Sequence, residues 1–163
     1  MHAPNALDFQ EFMVAPLGAR SMAEAVRAGA EVYAALRQDL ASRGLSTGLG
    51  DEGGFAPEIR EPEEVPRLLV KAVGDAGYPT GAGGVSIGLD LAASEFRQPD
   101  GRYLVAGDLL SSADMIDRLT AITRDFPVHL IEDGLGEDDD EGCRQRNQRV
   151  RSRHSRSRRP RYL

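Results

Sequence analysis

Three short apolar runs in this chain each carry a carboxylate, and helix-length segments separate them. Residues 7–14 hold Glu11 in mid-run, residues 85–91 hold Asp90 near their end, and residues 128–133 end on Glu132 and Asp133. The first alternates loosely with a period of two, which predicts a strand with Phe9, Glu11 and Met13 on one face. Strands of this kind, alternating with helices, argue for an α/β fold built on a parallel sheet. In α/β barrels the C-terminal ends of the strands form the active face, so acids arriving there read as chemistry. Each acid alone has a plainer reading. Glu11 on an edge strand would simply sit in water.

The segments between the strands read as helices. Ser21 with Glu24 three residues on is a capping box. Met22, Val26, Val32, Tyr33, Leu36 and Leu40 then recur at helical spacing, which predicts a packing helix over about 22–43, stopped by Gly44. Glu61-Pro62-Glu63-Glu64 suits a helix first turn, where amides are unpaired and the dipole end is positive. Val65, Leu68, Leu69, Ala72, Val73 and Ala76 supply that helix's buried stripe, and Gly77 ends it. Ser111 to Asp114 cap a third helix with Met115, Ile116, Leu119 and Ile122 on its apolar side. Residues 94–96 and 102–105 predict a short hairpin around Pro99-Asp100-Gly101.

Between the first two helices lies Gly50-Asp51-Glu52-Gly53-Gly54-Phe55-Ala56-Pro57. Glycine permits positive φ and close approach, so an acid pair framed by glycines sits on a tight turn. Such a pair can do acid–base work, bind a metal, or only cap a helix. Several carboxylates converging on one rim would repel each other, and a hard divalent cation such as Mg²⁺ is the usual remedy.

The net charge of -6 conceals two unlike parts. Residues 141–163 hold nine arginines and one acid, whereas residues 1–140 hold 11 basic and 25 acidic residues. The body is therefore strongly acidic and the tail strongly basic. One cysteine, Cys143, leaves no internal disulfide and fits a reducing compartment. No apolar run is long enough to span a membrane, and the N-terminus shows no secretory signal, so a cytoplasmic protein is expected.

Four stretches in register give the chain a resemblance to enolase (phosphopyruvate hydratase). They are His2 with Gln10-Glu11-Phe12-Met13; Gly50 to Pro57; Ile87-Gly88-Leu89-Asp90 with Ala93-Ser94-Glu95-Phe96; and Ile131-Glu132-Asp133-Gly134. The resemblance covers roughly residues 2–142. It implies a partial enolase-type (β/α) TIM barrel, about the first half, and Mg²⁺-dependent dehydration of 2-phosphoglycerate to phosphoenolpyruvate in glycolysis. By position, Glu52 matches the acid that helps the hydroxyl leave. Glu11 matches the carboxylate beside that leaving group, and Gln10 and His2 match substrate contacts. Asp90 and Glu132 match two of three carboxylate ligands of Mg²⁺. A homodimer is implied as well.

The same resemblance marks departures. The family's smaller first domain, third metal carboxylate, base lysine and phosphate-binding segment find no match. Lys71, the single lysine, lies in the second helix without the family's motif around it. A free-standing half barrel has open edges, so the chain is expected to aggregate or form mixed oligomers and to lack dehydratase activity. Residues 1–142 form the barrel part; residues 143–163 are arginine- and serine-rich, expected to be disordered or the product of a reading-frame shift. A rival reading gives that tail to electrostatic nucleic-acid binding, although no nucleic-acid module is visible in the body. A third keeps the barrel and changes the reaction to that of another superfamily lyase.

Overall fold

The computed structural model describes residues 7–145. The chain enters the sheet through β1 (Glu11–Ala15), crosses to α1 (Met22–Ser42) and α2 (Glu64–Asp75), and returns through β2 (Ser86–Asp90). A single 3-10 turn (Ala93–Glu95) leads to the hairpin β3 (Tyr103–Val105) and β4 (Asp108–Leu110), then α3 (Ser112–Asp125) and β5 (Val128–Glu132). The sheet order is β1-β2-β5, so β2 is central and both edges of an unclosed barrel wall are open among the described residues. No helix among these residues is long and apolar enough to cross a membrane.

The sheet departs from the all-parallel expectation. β2 and β5 run parallel, but β1 runs antiparallel to β2, pairing Glu11 with Asp90 and Ala15 with Ser86. Hydrophobic alternation fixes which residues face the core; it is silent on strand direction. Reversal puts the start of β1, not its end, beside the C-terminal ends of β2 and β5. The hairpin also differs. Residues 97–103 do fold back, through an Arg97–Tyr103 bridge, but the regular pairing is Tyr103–Val105 with Asp108–Leu110. Its tight turn is Ala106-Gly107, both at positive φ.

Helix boundaries follow the caps. The Ser21 side chain accepts from the Glu24 amide, while the Glu24 carboxylate turns to the Arg20 amide. At α3 the box closes in both directions between Ser111 and Asp114. Pro66 falls in the first turn of α2, where its missing N–H costs nothing. Met115, Ile116, Leu119 and Ile122 are all buried against Ile87, Leu89 and Leu91 of the central strand region. Burial of side chains like these contributes about 1.5–3 kcal/mol each.

Only part of the α1 stripe is buried. Val32 and Leu40 reach the core, but Met22 is 79% and Val26 64% exposed, and Tyr33 is 40% exposed. The first two turns of α1 run past the elements that could cover them.

Candidate active site

The backbone register assembles the acids. Glu11 pairs with Asp90, and Asp90 pairs with Glu132, so three carboxylates stand side by side across β1, β2 and β5. Residues opposite one another share a sheet face, and neighbouring strands lie roughly 5 Å apart. Behind this row on the same face come Met13, Gly88 and Leu130, also in register. Gly88 leaves room there: a Cβ would meet the Met13 side chain at 3.4–3.5 Å and Leu130 at 3.9 Å. Asp90 is half-buried and Glu132 exposed.

β2 and β5 each turn away just after their acid. Two of the three non-glycine residues at positive φ among the described residues are Ala92 and Asp133, two residues past Asp90 and one past Glu132. The Leu91 amide donates to the Glu132 carbonyl (3.2 Å) and the Ala93 amide to the Asp133 carbonyl (3.0 Å). Pairing therefore continues beyond the strands, and left-handed backbone is tolerated there because both flanks are held.

A second grouping forms around a groove of about 330 Å³. Gln10, Glu11, Asp51 and Glu52 all line it, and Val32, Leu36 and Phe55 contribute apolar wall. The acids are presented by a small loop closed on itself: the Gly50 amide donates to Gly54 (2.8 Å), the Ala56 amide to Gly48 (2.9 Å), and Leu49 bridges Phe55. Gly53 takes φ +82°, which its lack of a Cβ permits. Tyr33 clamps this loop from α1. Its hydroxyl donates to the Gly53 carbonyl at 2.9 Å, and its ring stacks on Phe55 with centroids 4.2 Å apart.

Glu11 is thus the link between the two groupings. The groove brings Gln10, Glu11 and Glu52 together; the strand register adds Asp90 and Glu132 to Glu11. His2 lies outside the described residues. Two contributors carry no sequence signal of their own. Tyr33 reads from the sequence as one more apolar stripe residue. Asp139 is one acid in a run of acids, yet it accepts hydrogen bonds from Tyr103 (2.9 Å), from Ser112 and from the Gly142 amide (3.0 Å). The Gly136 amide in turn donates to the Tyr103 hydroxyl at 3.0 Å. This network ties the segment after β5 to the hairpin and to the start of α3.

Lys71 is committed elsewhere. Its Nζ lies 2.5 Å from Asp75 and 3.1 Å from Asp39, joining α2 to α1, and it does not line the groove. Hydrogen bonds to Asp75 and Asp39 hold it above the ordinary lysine range, the wrong direction for a base.

An acid-lined rim at the strand ends of an open α/β barrel wall lies where barrel folds place their functional residues. The family model of the enolase C-terminal TIM barrel domain matches residues 1–154, and the chain belongs to that family. The match runs on past Gly142 into the arginine-rich stretch. Residues 140–145 are helical, so Cys143 to Gln145 at the start of that stretch continue a helix. The remainder of the tail, and with it the expectation of disorder, lies outside the described residues.

Whether the rim suits Mg²⁺ is a matter of donor type and number. Asp90 and Glu132 are hard oxygen donors at adjacent register positions, which fits Mg²⁺ in kind. Among the described residues no group of three or more His, Cys, Asp or Glu side chains lies close enough to hold a metal ion. The donor type therefore fits, and the donor number falls short of a complete protein site among the described residues.

Proposed function

We propose that this chain carries part of an enolase catalytic site, the part that holds the cation and protonates the leaving group in the dehydration of 2-phosphoglycerate to phosphoenolpyruvate. The single observation that supports this most is the Glu11–Asp90–Glu132 register, read together with family membership. Asp90 and Glu132 would hold Mg²⁺, which when bound supplies fixed positive charge for developing enolate oxygens. Glu52, which lines the same groove as Glu11, delivers a proton to the departing hydroxyl. Gln10 and Glu11 fix that hydroxyl in place, and His2 contacts the substrate. The apolar wall of Val32, Leu36 and Phe55 limits water around the reacting end. The reaction belongs to cytoplasmic glycolysis.

The proton next to the substrate carboxylate needs a base, and Lys71 does not serve. The chain on its own therefore binds a divalent cation weakly and does not turn over. Mn²⁺ titration followed by electron paramagnetic resonance tests the first half. Asp90→Asn with Glu132→Gln is expected to abolish binding, and unchanged affinity in that double variant would remove the assignment. Absorbance of the enol product tests the second half. Turnover of 2-phosphoglycerate by the isolated chain would show that a base is present after all.

A further inference from the structure

A second cavity, of about 340 Å³, opens at the other end of the sheet from the acids, where Ala15 pairs with Ser86. The turn after β1, one face of α1 and the loop between α2 and β2 enclose it. It shares no lining residue with the groove of Gln10 and Glu52. Backbone bonds hold its frame: the Gly18 amide donates to the Gly84 carbonyl (2.8 Å) and the Val85 amide to the Pro79 carbonyl (2.9 Å). The chain runs too close there for side chains. A Cβ on Gly18 would lie 2.3 Å from the Gly83 carbonyl oxygen, and one on Gly84 would lie 1.9 Å from that of Pro79. The space is therefore shaped by fixed backbone, as pre-formed small-ligand sites are.

Two charged side chains line this cavity, and both keep bonding capacity. Glu24 and Arg27 are three residues apart on α1, which sets them on one face with Cβ atoms roughly 5–6 Å apart. The Arg27 Nε donates to Glu31 (2.7 Å), and the Tyr78 hydroxyl donates to the other Glu31 oxygen (2.5 Å). Neither Nη of Arg27 bonds a described residue. One Glu24 oxygen accepts from the Arg20 amide (2.7 Å), and Glu24 makes no ion pair among the described residues. Pro16, Ala28, Pro79 and Val85 supply apolar wall. Charge then selects the ligand. An anion on Arg27 would sit beside Glu24 and Glu31, and a cation on Glu24 would sit beside Arg27. A molecule with both charges close together satisfies each with charge-assisted bonds. We infer that this cavity binds a free α-amino acid with an apolar side chain, its carboxylate on the Nη groups of Arg27, its ammonium on Glu24 and its side chain against Pro16, Pro79 and Val85.

Equilibrium dialysis of radiolabelled L-leucine against the full 163-residue chain tests this. The expected result is saturable binding at one site per chain. Leucinamide lacks the anion, 4-methylpentanoate lacks the cation and glycine lacks the apolar side chain, so each should compete at least about tenfold less well than unlabelled L-leucine. These arms need no variant. Glu24→Gln keeps an oxygen for the Arg20 amide, and it and Arg27→Gln should each weaken binding about tenfold or more. Leu109→Lys, an exposed site on β4, should leave it unchanged. Circular dichroism shows which variants remain folded. No saturable binding, equal competition by any of the three analogues, or binding indifferent to both α1 variants would each overturn the inference. These readouts are independent of cation binding and turnover.

Discussion

Asp139 shows how much one carboxylate can hold. Burial pushes its carboxyl up, but the Ser112 hydroxyl, the Gly142 amide and the Tyr103 hydroxyl outweigh that and keep it below the ordinary aspartate value of 3.8. A carboxyl lowered on folding adds stability above its unfolded pKa and loses it as pH falls through its folded one. Wild-type stability should therefore decline below about pH 4, and Asp139→Asn should flatten that acid limb. The variant should also lose about 1–3 kcal/mol at neutral pH in urea unfolding, since the two hydroxyls and an amide lose a shared charged acceptor. Ala92 makes the converse case. Its φ of +50° suits glycine, so Ala92→Gly should raise stability by about 0.5 kcal/mol, the relief of strain exceeding the added chain entropy. A drop instead would mean that the methyl packs more than it strains. Tyr33→Phe should leave α1 intact but speed amide exchange in residues 50–56, because only the bond to Gly53 is lost.

Among the elements, legibility in the sequence divided along a physical line. α2 and α3 were readable because periodicity and caps are local, and their stripes meet a core that exists. The α1 stripe was readable only as a wish: Met22 and Val26 have the right spacing but no partner. The direction of β1 was not readable, because pairing sense depends on residues far along the chain, Glu11 on Asp90. The acids at the strand ends were legible as a set, and so was the glycine-framed loop; the Tyr33 clamp and the singling-out of Asp139 arise only in the fold. Elements are joined by ion pairs as well. Arg118 of α3 grips Glu63, just ahead of α2, through two bonds of 2.6 and 2.8 Å. Arg118→Ala should cost about 1 kcal/mol, the upper range for a partly exposed pair with good geometry, and Ser111→Ala at the α3 cap a similar amount. Thermal unfolding of the single variants and the double variant should give additive losses, since the cap and the ion pair share no group.

At the scale of the whole molecule, the barrel wall is held from one side. Helices cover the outer face through three apolar clusters, while the inner face and both edges remain open among the described residues. Stability then depends on what meets the open side, and concentration becomes a variable of folding as much as of association. Midpoints of unfolding that rise with protein concentration would accord with this; midpoints independent of it would mean that the helix-covered half suffices.

The reversed β1 has a practical consequence for anyone preparing this protein. β1 begins at the acidic end and finishes at the other, where the Gly18 amide bonds the Gly84 carbonyl. An oligohistidine tag ahead of residue 7 would tether imidazoles at the same end as Asp90 and Glu132, and could counterfeit the divalent-cation affinity that the titration is meant to measure. A tag inserted in the exposed turn at Ala82 sits at the opposite end and avoids that artefact.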